Sequence, residues 1–159
     1  MSRFYAVASA LTLASAMGFS SEALAQTVDI PFTASVPIEV TFDQVVLGTV
    51  ETTASGGSVQ LPNVIESVNP ATVTLQSNTP ATLTVSPPRL ISGSTPDPDG
   101  TTYVTFVTVG TQQVTADTAE VTMNLPVGMS DLEVDMRVER PVPFPAGTYN
   151  YAVTLTVIP

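Results

Sequence analysis

From Val28 to Phe42 every second residue is apolar: Val28, Ile30, Phe32, Ala34, Val36, Ile38, Val40 and Phe42. Between them stand Asp29, Pro31, Thr33, Ser35, Pro37, Glu39 and Thr41, none a large hydrophobe. A period of two is that of a strand with one face in a core. The same alternation predicts strands over residues 71–75, 81–85, 120–125, 132–138 and 149–157. Residues 45–51, 113–116 and, weakly, 58–61 add further strands. Residues 103–109 are apolar enough for burial on both faces. Asn78-Thr79-Pro80 predicts a hairpin turn between the strands at 71–75 and 81–85. Residues 53–57, 94–100 and 141–147 are rich in glycine, proline and small polar residues and read as connections. No window of ten or more residues shows a 3.6-residue period, so almost no helix is expected beyond the first 25 residues.

Eight to ten short strands with polar turns predict an all-β protein, an Ig-like antiparallel β-sandwich with Greek-key connections. A closed barrel is the alternative. The Cys–Trp–Cys marks of antibody domains are missing, so "Ig-like" refers to architecture alone.

The 28–42 segment is too long for one ordinary strand. Strands seldom exceed about 10 residues, and 15 alternating residues would stretch about 50 Å. Two readings fit. In one, the segment bends at Pro37 and residues 28–36 and 38–42 are two strands of the same domain. In the other, the first part leaves its domain and adds a strand to a neighbouring copy, with alternate side chains entering the neighbour's core. Pro31 and Pro37 fall on the non-core face, and each removes one ladder hydrogen bond.

Composition narrows the function. Residues 1–25 carry one base, Arg3, an apolar run from Phe4 to Phe19, and Ala23-Leu24-Ala25 before Gln26. That is the pattern of a secretory signal peptide, and the run is short for a span that needs about 20 residues. The remaining 134 residues suit one domain, divided into an N-terminal extension or donor strand over 26–41 and a sandwich over 42–159. They hold three arginines against 13 acids, a net charge of −10, with no lysine, histidine, cysteine or tryptophan. An acidic chain repels phosphate backbones, which excludes nucleic acid as an expected partner. No second hydrophobic span is present, so no membrane insertion is expected. Without cysteine, an exported domain must hold by packing and backbone pairing alone.

Acid–base and nucleophilic catalysis need a base that titrates near neutrality, and the chain has neither histidine nor lysine. Carboxylate pairs remain, and the candidates are Asp97 with Asp99, and Asp131, Glu133 and Asp135. Asp131, Glu133 and Asp135 alternate opposite Leu132, Val134 and Met136, which reads as a solvated outer face. Asp97-Pro98-Asp99-Gly100 resembles part of a calcium loop, but further oxygen ligands and a closing glutamate do not follow. Four tyrosines and no tryptophan make a poor sugar platform. The expectation is a protein that is not an enzyme and has no cofactor or metal site.

The tail from Pro145-Ala146-Gly147-Thr148-Tyr149 into alternating Tyr151, Val153, Leu155 and Val157 resembles the C-terminal strand of chaperone–usher fimbrial subunits. Together with the signal peptide and the alternating N-terminal segment, the layout also resembles spore-coat-U-like secreted proteins. The absence of cysteine is similar to the disulfide-free classes. At its end the chain carries Ile158-Pro159 where many such subunits have a penultimate tyrosine.

The resemblance implies a structural subunit of a fibre, pilus or coat. Such a subunit has an incomplete sandwich that a donor strand completes. It passes through the periplasm to the cell surface, with copies of itself or homologous subunits, a periplasmic chaperone and an outer-membrane usher as partners. It implies that Val28, Ile30, Phe32, Ala34 and Val36 are donor plugs. It implies that Tyr149, Tyr151, Val153, Leu155 and Val157 line the acceptor groove, and that Gly147 sets the turn into that strand. The bland reading of these residues is ordinary core. The alternative function is a self-contained secreted adhesin or carbohydrate-binding module.

Overall fold

The computed structural model of the protein describes residues 31–55 and 61–159. The chain divides into two units, residues 1–35 and 36–159. In the first, the described residues 31–35 carry no regular secondary structure. The second holds twelve strands and, among the described residues, no helix. The strands are β1 (Val40–Val46), β2 (Thr49–Thr53), β3 (Val64–Asn69), β4 (Ala71–Ser77), β5 (Ala81–Val85) and β6 (Arg89–Gly93). They continue as β7 (Thr102–Val109), β8 (Gln112–Ala116), β9 (Val121–Leu125), β10 (Gly128–Glu139), β11 (Tyr149–Ala152) and β12 (Leu155–Ile158).

Several short strands are halves of longer ones. β1 and β2 run antiparallel along β4 and β3, with Val40 opposite Ser77 and Thr53 opposite Val64. The expected strand over 45–51 is therefore broken at Leu47-Gly48. The cause is crowding: a Cβ on Gly48 would lie 2.6 Å from the Ala71 nitrogen and 2.8 Å from the Asn69 oxygen. Only a residue without a side chain lets the two kinked strands pass this closely. Of the 28–42 segment, residues 28–30 lie outside the described residues, 31–39 carry no strand, and β1 opens at Val40, three residues beyond the bend that one reading puts at Pro37. Residues 58–60 of the weak strand lie outside the described residues, and Leu61 is in no strand.

The first layer is one antiparallel sheet. The twelve-residue β10 pairs on one edge with β4 and then β3, and on the other with β7, which pairs with β8. In β10, Asp131 and Glu133 are exposed while Leu132 and Val134 are buried, as the alternation predicts. In β7 only Thr105 and Val107 are buried. Val104 and Phe106 on the opposite face are half-buried, short of the double burial expected for 103–109.

The second layer has β5 at its centre, with β9 on one side and β12 on the other. The expected hairpin between 71–75 and 81–85 does not form. Both edges of β4 are taken by β1 and β10. The chain crosses at Asn78-Thr79-Pro80 to the opposite layer, so Val73 and Leu75 face Leu83 and Val85 through the core. The expected strand over 149–157 is likewise split: β11 pairs with β6 and β12 with β5. Pro87 and Pro88 offer no N–H to continue the ladder. At the break, the Ser86 amide donates to the Thr154 carbonyl at 3.0 Å and the Thr154 amide to Ser86 Oγ at 2.9 Å.

The main core lies between the layers. Leu75, Leu83, Val85, Val107 and Leu132 are fully buried there, with Met123, Leu125 and Ala116 beside them. Each large side chain contributes roughly 1.5–3 kcal/mol by leaving water. Thr105 is fully buried although polar, and its hydroxyl donates to the Ser86 carbonyl at 3.0 Å. A second cluster, Ile65, Val138 and Phe144 with Tyr103, Met136, Tyr149 and Tyr151, fills the other end of the sandwich.

Candidate functional site

The main core is closed on one side and open on the other. β8 and β9, the edges of the two layers, adjoin each other. The opposite edges are β1 and β12. Among the described residues each has a partner on one side only, and they share no ladder. Leu83 and Val85 of β5 are fully buried, whereas Leu155 and Val157 of the neighbouring β12 are only half-buried although they pack on the same core. On β1, Phe42 is 43%, Val46 58% and Val45 61% exposed. A strand edge of this kind presents unpaired N–H and C=O groups to any extended chain.

The residues singled out from sequence distribute unevenly. Val28 and Ile30 lie outside the described residues. Phe32, Ala34 and Val36 lie in an irregular, exposed stretch, with Phe32 93% exposed. Val153, Leu155 and Val157 pack on the main core at its open side. Tyr149 and Tyr151 instead belong to the second cluster. Gly147 precedes β11 where a Cβ would overlap Ser94 Oγ, so the close approach of residue 94 requires glycine.

Where the chain enters β1, Asn78 holds it by three hydrogen bonds. Its side-chain nitrogen donates to the Pro37 carbonyl at 2.8 Å, and its side-chain oxygen accepts from the Glu39 amide at 2.9 Å. Its own amide donates to the Glu39 carbonyl at 3.1 Å.

The other end is held by a buried ion pair that the sequence pattern does not disclose. Asp97 Oδ1 accepts from Arg140 Nε at 2.8 Å and from the Tyr151 hydroxyl at 2.7 Å, with Arg140 Nη2 in ion-pair contact at 2.6 Å, while Oδ2 accepts from the Tyr103 hydroxyl at 2.8 Å. Arg140 also donates to the hydroxyl and carbonyl of Thr95. Its guanidinium lies 4.2 Å from the Phe144 ring centre and 4.7 Å from that of Tyr149, two rings that meet edge to face with their centres 5.1 Å apart, a cation–π contact with each.

Burial, and then the Asp97 carboxylate, push the Tyr103 phenol up to about 12. The same causes in the same order raise Tyr151. Burial alone would pull Arg140 down, but its bonds and charge contact with Asp97 and Tyr151 hold it above its ordinary value. Asp97, read from sequence as a partial cation ligand, already accepts three hydrogen bonds, and this network stitches the 94–99 loop to β7, β11 and the residue that follows β10. Among the described residues no group of three acids is placed to hold a metal ion.

A shallow cleft of about 700 Å³ opens between the β7–β8 and β9–β10 turns. Gln112, Asn124 and Asp131 line it over Leu125 and Met129. Asp131 is its sole carboxylate, so it lacks the pair that glycoside hydrolysis requires. Compared with protein-family models, with curated proteins and with solved structures, the chain gives no match.

Proposed function

We propose that the protein is a structural subunit of an extracellular fibre or coat that assembles by exchanging its N-terminal strand between copies. The observation that carries this reading is the open side of the core between β1 and β12. Strand order supports it. A constant-type immunoglobulin sandwich has strands A, B, E and D in one sheet and C, F and G in the other. Here residues 40–53, 64–77, 128–139 and 102–109 follow the order A-B-E-D. In this reading residues 81–93 and 149–158 take the places of C and F, with β9 an additional strand on the far side of β5. The place of G, beside F and next to A, is the open side. The 28–36 segment has the alternation that such a gap accepts, and the described plug residues Phe32 and Val36 are 93% and 79% exposed. The proposed partners are further copies, a periplasmic chaperone and an outer-membrane usher, with the cell surface as destination.

Electrophoresis of the exported protein in SDS, unboiled beside boiled, tests the reading. A ladder that collapses on boiling and is lost in the Phe32→Asp variant is the expected result. A single monomer band for the unaltered protein overturns it. That band would favour the second reading, a self-contained binding module, for which the cleft at Gln112 and Asn124 is the ligand site.

A further inference from the structure

One end of the sandwich gathers the start of β1, the β4–β5 crossing and the start of β10: Val40 stands opposite Ser77, and Ser77 opposite Gly128. Glu39, Thr41, Gln76, Ser77, Asn78 and Gly128 line a cleft of about 250 Å³ there. Three large exposed apolar residues are chain neighbours of its lining: Ile38 at 70% precedes Glu39, and Val127 at 57% and Met129 at 70% stand on either side of Gly128, with Met129 also lining the larger cleft. Ile38 stands between the two residues that Asn78 holds. This end is distinct from the open side of the core, where an incoming strand would lie.

From this arrangement we infer a second contact between copies, in which the Ile38, Val127 and Met129 end of one subunit packs directly against the subunit that has received its N-terminal strand. The inference rests on the strand-exchange reading. The argument is one of chain length. The last plug is Val36, and the hydrogen bonds to Asn78 begin at Pro37. Consecutive Cα atoms are about 3.8 Å apart, so no slack separates the donated strand from its own domain. An acceptor that grips residues up to Val36 is therefore held against the end that Asn78 defines. Apolar side chains grouped there gain by losing water to that neighbour. The occupant is a second copy of this chain, because the donated strand itself delivers it. Strand exchange then fixes which copies join, and the end contact fixes their angle.

The test uses the full exported chain and the double variant Val127→Asp/Met129→Asp, with Asn78→Ala as a second variant. Electrophoresis in SDS without boiling reads strand exchange, and electron microscopy of the fibres reads their bending. The expected result is an unchanged ladder with a severalfold shorter persistence length in both variants. Loss of the ladder with an unaltered thermal midpoint would also support the end contact, as a requirement for exchange itself. If charge at these positions unfolds the chain, Val127→Thr/Met129→Gln replaces the double variant. An unchanged ladder with unchanged fibre bending overturns the end contact and leaves strand exchange standing. No ladder from the unaltered protein overturns strand exchange, and the end contact with it.

Discussion

Asp97 and Arg140 stand 43 positions apart in sequence, yet Arg140 Nε donates to one oxygen of Asp97 at 2.8 Å and Arg140 Nη2 lies 2.6 Å from the same oxygen. The side chains are 7% and 1% exposed. Removing one member of a buried pair leaves the other charged and unpaired, at a cost of about 3–5 kcal/mol, whereas removing both with apolar replacements costs far less. Arg140→Met is therefore expected to lower unfolding free energy by about that amount. Asp97→Leu/Arg140→Met is expected to recover part of it. Urea denaturation of the two variants beside the unaltered chain measures the difference.

The phenols on the same carboxylate set a limit at alkaline pH. The folded value of Tyr103 is about 12 against an ordinary 10.0, and Tyr151 is raised as well. Above pH 10 the unfolded chain gives up these protons while the folded chain keeps them. Stability is intact below that pH and falls as pH climbs through about 12. Denaturation midpoints measured across this window should drop, with tyrosinate absorbance rising as the chain unfolds. Tyr103→Phe should make the drop shallower.

Gly48 offers a test of the kinked strand pair. Any Cβ there meets main-chain atoms of Asn69, Pro70 and Ala71, which cannot rotate away. Gly48→Val should destabilise by roughly 1–3 kcal/mol through overpacking. At Gly110 a Cβ meets nothing within 4 Å, and the φ of +59° is the sole obstacle. Gly110→Ala should cost less, of order 1 kcal/mol. Thermal unfolding of both variants checks the ranking.

The alternation of β4, β5, β9 and β10 was legible because a period of two depends on each strand alone. Pairing was not, because it depends on which edges are free. The apolar pattern at 71–75 and 81–85 is the same for a hairpin and for two strands facing across a core. β3 escaped notice because its buried Val64 and Ile65 are adjacent in sequence and its remaining residues are polar or exposed. β6 has one half-buried hydrophobe, Leu90, between exposed neighbours. Asp131 and Glu133 of β10 are legible as a solvated face, while Asp135, expected beside them, is half-buried. The role of Asp97 is not legible, since its partners come from residues 103, 140 and 151, and nothing local marks a carboxylate that will be buried.

The open side predicts a difference between neighbouring leucines. Leu83 is fully enclosed, and Leu83→Ala should cost the 2–5 kcal/mol typical of a core cavity. Leu155, half-buried on β12, should cost less in the isolated protein, where water already reaches it. If a donated strand covers it, the cost of Leu155→Ala should rise in the assembled form. Chemical denaturation of monomer and of fibre compares the two states.

The two edges of the open side come from opposite ends of the domain's sequence, Val40–Val46 and Leu155–Ile158. Between them β5 waits for β12 as its partner, and the main core has no second flank until that strand exists. A chain that emerges from its N-terminus cannot complete the sandwich while any of these residues is still to come. Contacts so distant in sequence form slowly, because the long loop must close before they repay its entropy. The order of the strands thus makes the last residues of the domain the ones on which closure of its core waits.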